Sequence, residues 1–131
     1  MRQPRLFFPA FGALVFSVST LCAGTLYVSG EGNDANAGTS PAKAFRSLQK
    51  AADLAEPGDT VLVGDGTYLD SADTKDSESA LLRLVKVARP DAWITFRAAP
   101  GAKPVLRPRG WTGILITGSY YVIDGLTVTG F

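Results

Sequence analysis

The side chains that could perform chemistry in this chain are restricted by composition. Histidine is absent from its 131 residues, and the single cysteine is Cys22, near the start. This excludes histidine-dependent catalytic triads, histidine general bases and zinc sites built on cysteine or histidine within this stretch. Any chemistry performed here therefore uses carboxylates, lysine, arginine, tyrosine or a metal that prefers oxygen ligands.

One group of oxygen-bearing side chains lies in GEGNDANAGTS, Gly30 to Ser40. An EF-hand loop that began at Asp34 would need glycine and glutamate where the chain has Thr39 and Phe45. A calcium-binding nonapeptide repeat would need an apolar residue where Asn36 stands, and no tandem copy follows. Asparagine and aspartate often bond to nearby backbone amides in turns, so we predict a structured turn here and assign no metal.

Three other aspartates stand beside glycine at turn signals. Asp59, Asp65 and Asp124 occur in the sequences PGDT, GDG and IDG. Aspartate in such places commonly accepts hydrogen bonds from backbone N–H groups. We predict that these three residues stabilise turns.

A second kind of candidate site binds sugar through cations and aromatic rings. Arg107, Arg109 and Trp111 are our candidate residues for carbohydrate binding. The two guanidinium groups would pair with acidic groups of a glycan, and Trp111, which lies between glycines, would stack on a sugar ring. Lys86 and Arg97 are interpreted as ordinary surface cations. Trp93 opens an apolar run, which favours a place in the core or between stacked strands.

The first 24 residues read as a separate unit. Arg2 and Arg5 precede an uncharged apolar run from Leu6 to Leu21, and small residues follow. This order predicts a signal peptide cleaved after Gly24. A membrane anchor is the alternative, but the run is short for a span of about 20 residues and contains a proline and a glycine. A lipoprotein anchor at Cys22 is disfavoured by the large leucine before it.

Cleavage would leave residues 25–131, with eleven basic and twelve acidic residues and no cysteine. A formal net charge of −1 does not indicate binding to nucleic acid or to an anionic membrane. A chain without cysteine cannot form disulfides. The signal peptide predicts a secreted protein, extracellular or periplasmic. We also expect a monomer that has no membrane contact after signal removal.

One helix is predicted in this mature part. Apolar residues at spacings of three and four share one helical face: Phe45, Leu48, Ala52 and Ala55. Ser47 is a suitable N-cap, because its hydroxyl can accept a hydrogen bond from a free backbone N–H. Pro57 and Gly58 end the helix.

The remaining elements are predicted strands, rich in Val, Ile, Leu, Thr and aromatic residues and bounded by turn residues. They are 25–29, 60–63, 67–69, 81–88, 93–98, 104–107, 113–117, 120–123 and 126–129. A polar insert, 70–79, is predicted to be a surface loop. Asp124–Gly125 between apolar runs is a signal for an antiparallel hairpin. Against an antiparallel sandwich, several runs are apolar on both faces, as in the stacked strands of a solenoid.

Three segments resemble a known family. LYVSGEGNDANAGTSPAKAFRSLQKAADLAEPGDTVLVGDGTY, WITFRAAPGAKPVL and YYVIDGLTVTG are similar to the start of secreted right-handed parallel β-helix proteins, among them pectate lyases and related polysaccharide lyases. The resemblance implies a mainly β solenoid with an N-terminal capping α-helix. It would make residues 25–131 the cap and first coils, and the chain the N-terminal part of a longer protein.

The resemblance also implies a chemistry. In such lyases, aspartates hold Ca²⁺ against a uronate carboxylate, and a lysine or arginine base removes a proton so that the glycosidic bond breaks by β-elimination. Those residues belong to later coils, so no catalytic residue is assigned here, and Ca²⁺ is expected only in a full-length protein. The expected partner is an acidic polysaccharide. The alternatives are a non-catalytic β-helix module for carbohydrate binding or adhesion, and a small antiparallel β-domain.

Overall fold

A computed structural model describes residues 23–69, 80–110 and 112–130 of the chain. The predicted signal peptide before residue 23 and the polar insert 70–79 lie outside the described residues. The strands are β1 Thr25–Val28, β2 Thr60–Val63, β3 Thr67–Leu69, β4 Ala80–Leu84, β5 Ile94–Ala98, β6 Val105–Arg107, β7 Thr112–Ile116, β8 Tyr121–Asp124 and β9 Thr127–Val128. The helix α1 is Leu48–Leu54, and a short 3-10 turn covers Pro41–Lys43.

The strands form three sheets in which every ladder is parallel. The first sheet has the order β1-β2-β5-β8, the second β3-β6-β9 and the third β4-β7. From β2 onward, each strand pairs with the strand three places later in the chain. The fold is therefore mainly β with parallel sheets.

The antiparallel alternative is wrong, and with it the hairpin expected at Asp124–Gly125. Strand β8, which ends at Asp124, pairs in parallel with β5. Strand β9, which follows Gly125, pairs in parallel with β6. Gly125 adopts φ +77°, a left-handed conformation that glycine takes without steric cost. The dipeptide thus marks a true bend, but the bend carries the chain from one sheet to another.

One buried core lies between the three sheets and the helix. Each sheet contributes alternate side chains, as period-two strands require. The innermost of these, all fully buried, are Val61, Val63, Ile94 and Phe96 from the first sheet, Tyr68 and Leu106 from the second, and Leu82 and Leu84 from the third. Each large apolar side chain buried in this way contributes about 1.5–3 kcal/mol.

The helix begins where the sequence predicted. Ser47 is the N-cap, and its hydroxyl accepts a hydrogen bond from the Lys50 backbone N–H at 3.2 Å. The predicted apolar face is confirmed, since Phe45, Leu48, Ala52 and Ala55 are all buried. Ala51 is buried as well, and the helix packs against β1 and β4.

The glycine-rich stretch before the helix is a folded loop. The backbone N–H of Tyr27 donates to the Gly38 carbonyl at 2.9 Å, and the Phe45 N–H donates to the Tyr27 carbonyl at 2.8 Å. Asn33 and Asn36 side chains bond to backbone groups within the loop. These contacts confirm the structured turn, which runs along the outer edge of β1.

The strand predicted at 81–88 is shorter than expected. β4 ends at Leu84, because the Leu84 carbonyl is shared by the backbone N–H groups of Thr117 and Gly118 at a corner. Beyond it Val85 and Val87 point outward and are exposed. Among the residues described, no helix is long and apolar enough to span a membrane.

Candidate functional site

Two of the three candidate sugar-binding residues lie on one solvent-facing stretch. Arg107 ends β6, opposite Leu69 of β3, and both side chains are exposed. Arg109 follows two residues later, on the segment that leads to β7, and is also exposed. Trp111 lies outside the described residues, so its stacking role stays a prediction.

The alternation of β6 explains why Arg107 faces solvent. Its neighbour Leu106 is fully buried in the core, so the next side chain along the strand points away from it. Val105 and Thr67, which share a register position, lie on the same outward face of the second sheet. A cation on this outward face can bind an extended anionic polymer without any rearrangement of the buried side chains.

The other two cations weighed in the sequence have specific structural partners. The Lys86 ammonium group bonds to the Asp53 carbonyl at 2.9 Å and to the Ala55 carbonyl, at the C-terminal end of α1. A cation at this position also interacts favourably with the helix dipole. Arg97 forms an ion pair with Asp124 at 3.0 Å. Both cations lie at least partly at the surface, as the sequence interpretation held, and each has a specific partner there.

Two aspartates stabilise turns as predicted. The Asp59 carboxylate accepts hydrogen bonds from the backbone N–H groups of Gly24 and Glu56, both at 2.8 Å. Asp65 accepts from the Lys103 N–H at 2.7 Å. Asp124 instead forms an ion pair with Arg97. The two residues occupy one register position on β8 and β5, which brings their side chains together.

Asp34 joins the glycine-rich loop to the start of the helix. Its carboxylate accepts hydrogen bonds from the backbone N–H groups of Arg46 and Ser47 and from the Ser47 hydroxyl, each at 2.8 Å. Burial acts to raise the pKa of Asp34, but these hydrogen bonds and the charge of Lys50 outweigh it, so the pKa lies below its usual value. The carboxylate is thus used in folding the loop.

The residues described do not fit a Ca²⁺ site. They contain no group of three or more His, Cys, Asp or Glu side chains placed to hold a metal ion. Asp34, Asp59 and Asp65 direct their oxygens to backbone N–H groups, including groups that are 12 to 38 residues away in the sequence. A hard cation needs several such oxygens converging on one point.

The tyrosines nearest the core are not suited to act as bases near neutral pH. Burial raises the pKa of Tyr68 to about 12, against the opposing charge of Arg46. Burial likewise raises the pKa of Tyr121, whose oxygen accepts a hydrogen bond from the Lys86 N–H. Both hydroxyls have structural partners, since Tyr68 donates to the Gly64 carbonyl at 2.7 Å.

A pair of aromatic rings, Trp93 and Tyr120, stacks between neighbouring strands, one of the two places that the sequence favoured for Trp93. Trp93 is 45% exposed and contacts Tyr120 edge to face, with ring centroids 5.5 Å apart. Trp93 directly precedes β5, and Tyr120 directly precedes β8, so the parallel pairing of these strands brings the rings together. The apolar run after Trp93 gave no signal for this exposure.

Comparison with known proteins gives a structural likeness to polysaccharide lyases. No family model matches the chain. A solved rhamnogalacturonan lyase is similar over 81% of the chain, with a TM-score of 0.62 and 25% sequence identity. Pectate lyase Pel9A is similar over 83% of the chain, with a TM-score of 0.66 and 23% identity. Both neighbours are parallel β-helix lyases, which agrees with the parallel sheets of this chain.

A curated relative matches a shorter part of the sequence. The uncharacterised protein YwoF of Bacillus subtilis (strain 168) is 46% identical over 52 residues, which are 40% of the chain. The chain spans 11% of that relative, 28% of the rhamnogalacturonan lyase and 29% of Pel9A. What is shared with the solved lyases is therefore one part of a much larger fold.

Proposed function

We propose that this chain is the N-terminal portion of an exported, pectate-lyase-like polysaccharide lyase that cleaves uronate-containing glycans by β-elimination. The observation that supports this most is the parallel pairing of strands three places apart, together with the likeness to a rhamnogalacturonan lyase. Residues 25–131 would form the cap and first coils of a right-handed parallel β-helix. Residues 1–24 would be a signal peptide that is removed on export.

The segment between β1 and β2 supports the role of an N-terminal cap. Its backbone bonds to Tyr27 on the outer edge of β1. Its Arg46 guanidinium donates to the Thr67 carbonyl of β3 at 3.2 Å, and its Gln49 amide bonds to the Arg83 backbone of β4. This segment therefore contacts an edge strand of each sheet. Such contacts are expected of a cap that prevents strand addition at an open end of the fold.

Arg107 and Arg109 are the residues of this chain that we assign to substrate binding. Their exposed guanidinium groups would pair with the carboxylates of a uronate polymer, and Trp111 would stack on a sugar ring. In the reaction, a base removes the proton on C5 of the uronate, the C4–O bond breaks, a C4–C5 double bond forms and the leaving oxygen gains a proton. The base and the carboxylates that would hold Ca²⁺ belong to parts of the protein outside the described residues.

An assay on the full-length secreted protein tests the proposal. Polygalacturonate, rhamnogalacturonan and alginate are each incubated with the protein, with and without a chelator, and the ultraviolet absorbance of unsaturated uronate is followed. We expect absorbance to rise with one of these polymers and to stop rising when the chelator is added. An absence of unsaturated product with all three polymers contradicts the proposed reaction.

The binding role of the arginines is tested separately. Arg107→Ala with Arg109→Ala should raise the KM for the acidic polymer several-fold. The matched control is Arg83→Ala, because Arg83 is an exposed arginine whose backbone rather than side chain contacts the helix. An equal effect in the control would refute specific binding by Arg107 and Arg109.

A non-catalytic β-helix module for carbohydrate binding or adhesion is the second candidate. The exposed Trp93–Tyr120 pair favours it, because such rings can bind sugars without a catalytic group. In that case glycan binding would be found without unsaturated product.

A further inference from the structure

An exposed apolar patch lies at the corner between the third and first sheets. It consists of Val85, Val87, Trp93 and Tyr120, which are 58%, 71%, 45% and 36% exposed. The two valines follow β4, and the two aromatic residues precede β5 and β8. Clustered large apolar side chains in water mark binding surfaces more often than scattered ones do.

The backbone at this corner is held firmly. The Ala88 N–H donates to the Ser119 carbonyl at 3.1 Å, and the Ile94 N–H donates to the Tyr120 carbonyl at 3.0 Å. Gly118 approaches the Lys86 carbonyl so closely that no side chain would fit there. The rings therefore stand on a rigid support, which lowers the entropy lost when a ligand binds.

Tyr120 has a backbone conformation that is unfavourable for its residue type. Its φ is 66°, and it is the one non-glycine residue with positive φ among those described. Glycine would fit this position without strain, so a tyrosine here carries a backbone cost of about 1–3 kcal/mol. Strained backbone of this kind is concentrated at functional sites.

Trp93 is oriented by its own polar group. Its indole N–H donates to the Pro90 carbonyl at 2.9 Å, so that the N–H is satisfied without a ligand. The edge-to-face contact with Tyr120 uses at most one face of one ring. The exposed part of the Trp93 side chain can accept another flat or C–H-rich group.

Charged groups stand beside the rings. Arg89 and Asp91 lie in the turn that leads to Trp93, form an ion pair at 3.5 Å and are exposed. A pyranose ring combines an apolar C–H face with a rim of hydroxyl groups. An aromatic surface beside a guanidinium and a carboxylate matches both features.

We propose that Trp93 and Tyr120 form a binding surface for the pyranose rings of a glycan, separate from the stretch that contains Arg107 and Arg109. The class of ligand rests on the proposed function, but recognition by stacking does not require an acidic sugar. Trp93 stacks on one ring, and Arg89 and Asp91 bond to its hydroxyl groups. The surface holds the polymer on the protein and takes no part in bond cleavage.

Calorimetric titration of the full-length protein with oligogalacturonates and with neutral cello-oligosaccharides tests this surface. We expect Trp93→Ala and Tyr120→Gly to weaken the binding of both glycans about tenfold, the size expected for loss of an aromatic contact. Tyr120→Gly also relieves the strained φ, and denaturant unfolding of each variant shows whether its fold is retained. Leu54→Ala, at an exposed apolar residue on α1, is the control and should bind like the wild type.

The outcomes separate this surface from the proposed lyase. Unchanged affinity in both aromatic variants, or no binding of either glycan by the wild type, overturns the inference. Affinity that depends on Trp93 in a protein without unsaturated product supports the surface and contradicts the lyase. Lyase activity with affinities that do not depend on Trp93 supports the lyase and overturns the surface.

Discussion

The side-chain amide of Gln49 pairs with the backbone of Arg83 as a neighbouring strand would. The Arg83 N–H donates to Gln49 Oε1 at 2.8 Å, and Gln49 Nε2 donates to the Arg83 carbonyl at 3.1 Å. The other edge of β4 pairs with β7, so these two bonds satisfy the edge that β7 leaves open. One residue of α1 thus closes this part of the edge to strand pairing with another molecule.

Gln49→Ala should destabilise the protein and promote its association. The variant loses both bonds to Arg83 and a third from Gln49 Nε2 to Asp53. This should lower the free energy of unfolding by about 1 kcal/mol, since the freed groups can still bond to water. Denaturant unfolding measures the stability, and sedimentation measures the association. Lys50→Ala, on the same helix, is the control, and equal association in both variants would show that Gln49 does not protect the edge.

Asp34→Asn should remove an acid-dependent part of the stability. The pKa of Asp34 is lower in the folded protein than its ordinary value of 3.8, so the ionised carboxylate stabilises the fold above that value. This contribution is lost as the pH falls through the lowered pKa. Because Asp34 is exposed, we expect a loss of about 1 kcal/mol in the variant at neutral pH.

Urea unfolding across the acid range measures this effect. The profile of Asp34→Asn should be flatter than that of the wild type below the pH at which a free aspartate is half ionised. Glu31→Gln, at an exposed acid of the same loop, should keep the wild-type profile. Parallel profiles for wild type and Asp34→Asn would refute a role for the carboxylate charge.

Gly38→Ala and Gly101→Ala separate the effects of backbone and packing. Both glycines have positive φ, of +73° and +77°. A methyl group at position 38 would collide with the Phe45 ring, whereas one at position 101 would meet nothing within 4 Å. We expect about 1 kcal/mol of destabilisation at 101 and about 2–4 kcal/mol at 38, measured by denaturant unfolding. Similar values at the two positions would contradict tight packing of the loop on Phe45.

The wild type should lose stability at alkaline pH, and Tyr68→Phe should not show this loss. Burial raises the pKa of Tyr68 to about 12 from an ordinary value of 10.0, so its neutral form stabilises the fold fully below the unfolded pKa. That contribution falls as the pH rises from the unfolded toward the folded value. At neutral pH the variant should lose about 1 kcal/mol with the bond to the Gly64 carbonyl.

Unfolding experiments at alkaline pH, combined with tyrosinate absorbance, measure this linkage. Tyr27→Phe is the control, because Tyr27 is only partly buried. If Tyr68→Phe and the wild type lose stability in parallel above about pH 10, the assignment to Tyr68 is incorrect.

Local patterns predicted the positions of the elements well. The runs at 60–63 and 67–69 match β2 and β3, because β-branched residues bounded by glycine define short strands. The N-cap at Ser47 was predictable for a similar reason, since a cap depends only on the backbone three residues away. Asp59 is partly a local signal of the same kind, since it accepts from the Glu56 N–H, whereas the bond of Asp65 to the distant Lys103 N–H was not predictable in this way.

Pairing between distant segments was not predictable from local patterns. Asp124–Gly125 indicated a bend, but the direction of the next strand depends on β6, which lies elsewhere in the sequence. The ion pair of Arg97 with Asp124 follows from the register of β5 and β8. The contact of Trp93 with Tyr120 follows from the same register, and only the 45% exposure of Trp93 went beyond what the sequence favoured.

The order of the strands has a consequence for how fast the chain reaches its native state. From β2 onward, each strand skips two others to find its partner, so the described strands offer no hairpin as an early nucleus. Closing such long intervals costs chain entropy before any ladder bonds form, and topologies rich in non-local pairs fold slowly. Strand edges then stay open during synthesis, and the segment that follows β1 is made before β3 and β4, whose edges it contacts.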